Sequence, residues 1–171
     1  MFLLNHIKPE EATGKVAEIY GAFPKEIGVP KPLQMMSASP ELLERQFESI
    51  KYFTSHKNLS FPLLASIRYI GATECTYDYC ASLNGGILKA QGMTDDELEA
   101  MKNDPDKAPL EDKEREMLKF VLKAIRTPEN VGEADVEQLH SAGWSDSDIY
   151  DAVAHGANLA GYSILSKALS K

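Results

Sequence analysis

The reactive side chains of this sequence concentrate between residues 72 and 86, a stretch that contains both of its cysteines. Tyr77, Cys80 and Asn84 are spaced at i, i+3 and i+7, which places them on one face of an α-helix. A thiol near the start of a helix has a lowered pKa, because the helix dipole favours the thiolate. The segment therefore predicts thiol chemistry at Cys80, with Glu74 as a candidate proton acceptor.

The spacing of Cys75 and Cys80 decides whether the two thiols can meet. In a continuous helix, residues five apart lie about 140° round the axis and roughly 8.7 Å from each other. Cα atoms more than about 7 Å apart cannot form a disulfide without backbone movement. The pair can therefore approach only if the helix breaks between Glu74 and Tyr77. The alternative is structural, since free cysteine commonly acts as a small buried hydrophobe.

Helical periodicity dominates the chain and predicts an all-α fold of about six or seven helices. We expect a single domain over 1–171, with an N-terminal helix and a Pro-rich connector in 1–38 and a helical core in 39–171. The expected helices span about 9–23, 39–53, 60–91, 94–102, 111–126, 133–142 and 145–168. A break in the low seventies is expected within 60–91, with Thr73 or Thr76 capping its second piece.

Two helix-to-helix corners share one pattern. Gly92 and Gly143 suit the C-terminal caps of helices, and each is followed by an apolar residue and a new N-cap, Thr94 or Ser145. Acidic residues then fill the first turn, as the helix dipole favours. The sequence therefore predicts two similar corners.

Composition excludes several classes of partner. The formal net charge is -8, from 26 acidic and 18 basic residues, without a Lys/Arg cluster. Nucleic acid and anionic membrane are therefore not expected as partners. The N-terminus lacks the features of a signal peptide, and two cysteines in such a chain indicate a reducing cytoplasm. The 4 histidines show no metal-ligand spacing with the cysteines, so neither a metal nor another cofactor is expected.

Fragments of a known family follow one another along most of the chain. They are residues 11–20 (EATGKVAEIY), 28–30 (GVP), 39–43 (SPELL), 59–60 (LS), 80 (C), 135–139 (DVEQL), 143–146 (GWSD) and 158 (N). In order and spacing they resemble the carboxymuconolactone decarboxylase and AhpD-like (alkylhydroperoxidase D) superfamily, in particular its peroxidase-related branch. The resemblance implies an all-helical homo-oligomer that reduces peroxides with a thiol and is recharged by a thiol or disulfide electron donor.

The family's catalytic motif is only partly present. That motif is Cys-x-x-Cys-x-x-x-His with an upstream glutamate, and the matching positions here are Tyr77, Cys80, Asn84 and Ala65. Neither asparagine nor alanine takes up a proton at neutral pH. The family mechanism therefore does not transfer residue by residue, and Cys75 is the candidate replacement for the first cysteine.

Three functions follow from these observations. The leading hypothesis is an antioxidant, peroxidase-like oxidoreductase with Cys80 as the reactive thiol, Cys75 as its resolving partner and Glu74 as the proton acceptor. The second is a non-redox enzyme of the decarboxylase branch, whose anionic small-molecule substrate is held by Tyr77, Asn84 and His155. The third is a non-catalytic, oligomeric binding protein with a buried, inert Cys80.

Overall fold

The computed structural model describes residues 1–25 and 27–171, whose regular secondary structure is helical apart from an isolated β-bridge between Phe2 and Ser170. The α-helices are α1 (Gly14–Gly21), α2 (Lys31–Met36), α3 (Pro40–Thr54), α4 (Phe61–Glu74), α5 (Asp78–Ala90), α6 (Asp95–Asn103), α7 (Asp112–Arg126), α8 (Glu133–Ser141) and α9 (Asp146–Leu169). The predicted all-α class is confirmed. None of the described helices combines the length and apolar character needed to cross a membrane.

The predicted count of six or seven helices was wrong, because the described residues contain nine. The expected helix over 60–91 is two helices, α4 and α5. The expected Pro-rich connector ends earlier than predicted, because Pro32 occupies the first turn of α2, where a proline costs no hydrogen bond. Residues 9–11 form a short 3₁₀ turn instead of the start of α1.

The described chain groups into two compact units, residues 1–56 with 164–171 and residues 57–163. In the first unit, α1, α2 and α3 bury a small apolar core of Val16, Ile19, Tyr20, Leu33 and Leu43. The chain termini pair within the same unit, where the backbone N–H of Leu3 donates to the carbonyl of Leu169 at 2.8 Å. The predicted boundary at residue 38 differs from this grouping, since α3 joins the N-terminal segment.

The second unit contains both predicted corners. Thr94 and Glu97 form a reciprocal capping box at the start of α6. Ser145 and Asp148 do the same at the start of α9, through hydrogen bonds of 3.0 and 3.2 Å. Gly92 and Gly143 precede them with positive φ angles of 101° and 93°. The repeated corner predicted from the sequence is therefore confirmed.

Small residues let α9 approach α4 and α7 within this unit. A Cβ at Gly156 would lie 2.8 Å from Ile125 and 2.9 Å from Val121, and one at Gly71 would lie 3.1 Å from Leu159. Contacts below 3.0 Å require the packing to shift. Gly156 is therefore required by close packing, and it holds the neighbouring His155 against α4.

We predict that Gly156→Ala lowers the free energy of unfolding by about 1–3 kcal/mol, because the added methyl overpacks the contact with α7. Gly161→Ala on the same helix is the matched control, since a Cβ there meets nothing within 4 Å. It should be neutral or stabilise by up to about 1 kcal/mol through helix propensity. Urea unfolding of both variants measures the difference, and equal stability would contradict the packing argument.

Candidate active site

The helix break lies where the approach of the two thiols requires it. Helix α4 ends at Glu74, α5 begins at Asp78, and the three residues between them form the turn. The N–H of Tyr77 donates to the carbonyl of Ala72 at 2.8 Å, and the N–H of Thr76 donates to that of Thr73 at 3.1 Å. These two bonds are those of a Schellman motif. The expected break of the long helix is therefore present, and it lies in the interval that the approach of the two thiols requires.

The turn places an unusual residue in the left-handed region. Thr76 has a φ of 48°, a conformation that β-branched residues rarely adopt. The expectation that Thr73 or Thr76 caps the second helix was wrong. The N-cap of α5 is Tyr77, whose side chain makes no capping hydrogen bond. The hydroxyl of Thr76 donates instead to the carbonyl of Cys75, at 2.8 Å.

Cys80 lies in the first turn of α5 and faces a cation. Its side chain is buried, with 4% exposed, in a cluster with Ala72, Tyr77 and Leu159. Nη2 of Arg68, on α4, lies 4.0 Å from its Sγ. Burial raises the pKa of the Cys80 thiol, whereas the charge of Arg68 and hydrogen bonds from Arg68 and Tyr77 oppose that rise in pKa.

Cys75 packs against the same cluster from the turn. It is half-buried, and neither cysteine forms a disulfide. Its carbonyl accepts hydrogen bonds from Thr76 and from Ser163 of α9, the latter at 3.2 Å. The structure thus holds the backbone of Cys75 from two sides and brings its side chain to the cluster that contains Cys80.

The remaining motif positions make local contacts. The buried Asn84 amide donates to the carbonyl of Cys80 at 2.8 Å, within α5. Ala65 is buried on α4. The carboxylate of Glu74 lies 2.6 Å from Nη2 of Arg126, on α7, and no described contact joins it to either thiol. The role of Glu74 as a proton acceptor stays a prediction.

His155 faces α4 from α9 and lies near Arg68. Burial, and then the charge of Arg68, lower the pKa of His155 to about 3, although a hydrogen bond with the backbone of Leu64 opposes this. Its imidazole is therefore neutral at physiological pH and is a weak base. Tyr162, about two helical turns further along α9, also lies near Arg68, and burial raises the pKa of its phenol. His155 and Cys80 thus both lie near Arg68.

Sequence reasoning missed Arg68. The sequence feature that marks Arg68 is its position. It is the only basic residue in α4, a helix that is otherwise largely apolar and buried. A charged side chain in such a helix needs a specific polar environment. The residue that provides this environment, Cys80, comes from a different helix, so only the packing of α4 on α5 shows the contact. In residues 1–25 and 27–171, no group of three His, Cys, Asp or Glu side chains is placed to hold a metal ion.

Comparisons with known proteins bear on the fold. A crystal structure of an uncharacterized peroxidase-related protein from Silicibacter sp. TM1040 matches with a TM-score of 0.75 and 23% identity, over 92% of this chain and 85% of that one. The chain has the AhpD-like fold. An AhpD-core, peroxidase-related protein from Ralstonia eutropha JMP134 matches with a TM-score of 0.68 and 22% identity, over 88% and 86% of the two chains. No family model and no curated protein sequence matches the chain. The resemblance noted from sequence is confirmed at the level of the AhpD-like fold.

We predict that Thr76→Gly raises the free energy of unfolding by about 1 kcal/mol, because glycine adopts a positive φ without steric cost. Gly143→Ala is the matched control, since Gly143 occupies the same position of its own Schellman motif with a φ of 93°. It should destabilise by about 1 kcal/mol or more. Chemical denaturation checks both, and a destabilised Thr76→Gly would show that the threonine side chain outweighs the backbone strain.

We predict that His155 makes the protein less stable in acid. Above pH 6.5 the imidazole is neutral in both states; below it the unfolded chain takes up a proton that the folded chain refuses until about pH 3. In this range the free energy of unfolding therefore decreases as the pH is lowered. The contribution of His155 to that decrease is at most about 1.4 kcal/mol per pH unit. His155→Asn removes the group, so its unfolding free energy should depend less on pH. NMR titration of His155 in the unmodified protein is the second measurement, and an imidazole pKa near 6.5 would contradict the prediction.

Proposed function

We propose that the protein is a thiol-dependent, peroxidase-like oxidoreductase with Cys80 as the attacking thiol and Cys75 as the resolving thiol. The observation that carries the proposal is the break at residues 75–77, which takes Cys75 out of the helix and packs it on the cluster that contains Cys80. The names of the two structures with the same fold, both peroxidase-related, support this class of reaction.

In the first step the Cys80 thiolate attacks one oxygen of a hydroperoxide. An S–O bond forms, the O–O bond breaks, and the leaving alkoxide takes a proton to become an alcohol. The sulfur is oxidised to sulfenic acid and the peroxide is reduced. Arg68 and Tyr77 support this step, because donors aimed at the sulfur stabilise the thiolate, the reactive form.

In the second step the Cys75 thiol attacks the sulfenic sulfur. An S–S bond forms, the S–O bond breaks, and the oxygen leaves as water with the thiol proton. An external dithiol then returns both cysteines to thiols by exchange and is itself oxidised to a disulfide. The half-buried position of Cys75 supports its role as the sulfur through which that exchange begins.

We predict that the reduced protein loses both free thiols when it is treated with an organic hydroperoxide. Intact-mass analysis should show an internal disulfide in the unmodified protein and one added oxygen on Cys80 in Cys75→Ser. Cys80→Ser should react far more slowly, because it removes the attacking thiol that Arg68 contacts. Arg68→Met should slow oxidation of Cys80 about tenfold, the effect of losing one hydrogen bond to a charged group.

The control is Lys89→Gln, which removes one positive charge from α5 at an exposed lysine that pairs with Asp95. It should oxidise at the rate of the unmodified protein. If both thiols survive peroxide while the unfolded chain reacts, the peroxidase proposal is wrong. Oxidation that is equally fast in Cys80→Ser would also contradict the assignment of Cys80 as the attacking thiol.

A non-catalytic binding protein is the second candidate, and the burial of Cys80 favours it. A thiol that is walled off by apolar neighbours and whose pKa is raised reacts slowly. This candidate requires Cys80 to resist thiol reagents until the protein unfolds. The rate of thiol modification in native buffer, compared with that in denaturant, therefore distinguishes the two functions.

A further inference from the structure

We propose that the Cys80 site selects substrates that carry a carboxylate, and that Arg68 is the residue that binds this group. The inference deepens the proposed function and rests on it for the reaction, but the binding step is tested separately. Its basis is a half-buried cation for which the described chain supplies no counter-ion.

The surroundings of Arg68 are neutral at physiological pH. Among the described groups, those whose pKa the charge of Arg68 lowers are the Cys80 thiol, the His155 imidazole and the Tyr162 phenol. Burial raises the pKa of the thiol and of the phenol and lowers that of the imidazole, so all three favour their uncharged forms. Arg68 therefore contributes a positive charge that its partners leave unbalanced.

No carboxylate of residues 1–25 and 27–171 lies within 4.0 Å of the Arg68 guanidinium. The chain has 26 acidic residues, so acidic groups are not scarce. Two other arginines of the chain show the contrast, because Arg126 pairs with Glu74 and Arg115 with Asp112. A partly desolvated cation without a partner is costly, and an anionic ligand would offset that cost.

The Arg68 guanidinium also has N–H donors that its described hydrogen bond does not use. Arginine carries five N–H groups in a planar fork that matches a carboxylate. The described hydrogen bond of Arg68 uses Nη2, towards Cys80 Sγ at 4.0 Å. The other donors therefore remain to hold a carboxylate while Nη2 faces the sulfur.

This arrangement places a bound ligand next to the nucleophile. One side chain contacts the sulfur and holds the carboxylate, so a reactive group on the same small molecule is brought to Cys80. Holding two reactants together raises their effective concentration and hence the rate. A neutral molecule of the same shape gains no such binding from Arg68, although it meets the same thiolate. The expected signature is thus a rate preference for the charged member of a matched pair.

Iodoacetate and iodoacetamide form such a pair, since they share a reactive carbon and differ in the carboxylate. With either reagent the Cys80 thiolate displaces iodide: a C–S bond forms, the C–I bond breaks, and the thiol proton goes to the buffer. The experiment measures both rates on reduced Cys75→Ser, in which Cys80 is the one remaining thiol, and on a small free thiol at the same pH.

We expect the iodoacetate-to-iodoacetamide rate ratio at Cys80 to exceed that of the free thiol by about tenfold or more, as one charge-assisted hydrogen bond allows. Arg68→Met should bring the ratio back to that of the free thiol, and Lys89→Gln should leave it unchanged. Should Arg68→Met fail to fold, acetate should slow the iodoacetate reaction of Cys75→Ser while acetamide does not.

An iodoacetate-to-iodoacetamide rate ratio equal to that of the free thiol would overturn the proposal. It would also be overturned if neither reagent modified Cys80 in the folded protein. A raised ratio that survives in Arg68→Met would assign the preference to another group and would also overturn it. The outcome is separable from the peroxidase proposal. If a neutral hydroperoxide oxidises the protein but Cys80 shows no preference for iodoacetate, only the carboxylate site is contradicted. If Cys80 prefers iodoacetate but no peroxide oxidises the protein, only the peroxidase reaction is contradicted.

Discussion

The left-handed backbone of Thr76 is the constraint on which the candidate site depends. If residues 74–78 continued as a helix, Cys75 and Cys80 would lie too far apart to react with each other. The turn takes Cys75 out of the helix and makes Tyr77 the N-cap of the next one. At the two other corners of this kind a glycine adopts the positive φ at little cost. Here a threonine does so, and strained backbone of this sort is a feature of functional sites.

The reactivity of Cys80 is set by two opposed effects. Burial among apolar side chains disfavours the thiolate, whereas Arg68 and the Tyr77 hydroxyl favour it. The same burial strengthens the attraction between Arg68 and a thiolate, because less water screens it. The neutral His155 contributes to this balance, since a second positive charge beside Arg68 is disfavoured. The site therefore has one cation, and it faces the sulfur.

The parts of this structure that sequence predicts are those encoded locally. The capping box of Thr94 and Glu97 and the glycine at position 143 carry their signals within a few residues, and both are observed. The break at residue 76 lacks the usual glycine. The sequence therefore indicates a break in the low seventies without fixing its position. Arg68 is different. Its significance depends on the packing of α4 against α5 and α9, which no local pattern records.

In the proposed reaction, charge stabilisation replaces proton relay. In the family that the sequence resembles, a glutamate and a histidine move the proton of the attacking thiol. The corresponding residues here are Ala65 and Asn84, and the nearby His155 is too weak a base to take their place. Arg68 and Tyr77 remove no proton, but they lower the free energy of the thiolate once solvent has accepted one. In the proposed function such a site depends on the pH of its surroundings, and the proposed specificity comes from what else the same cation binds.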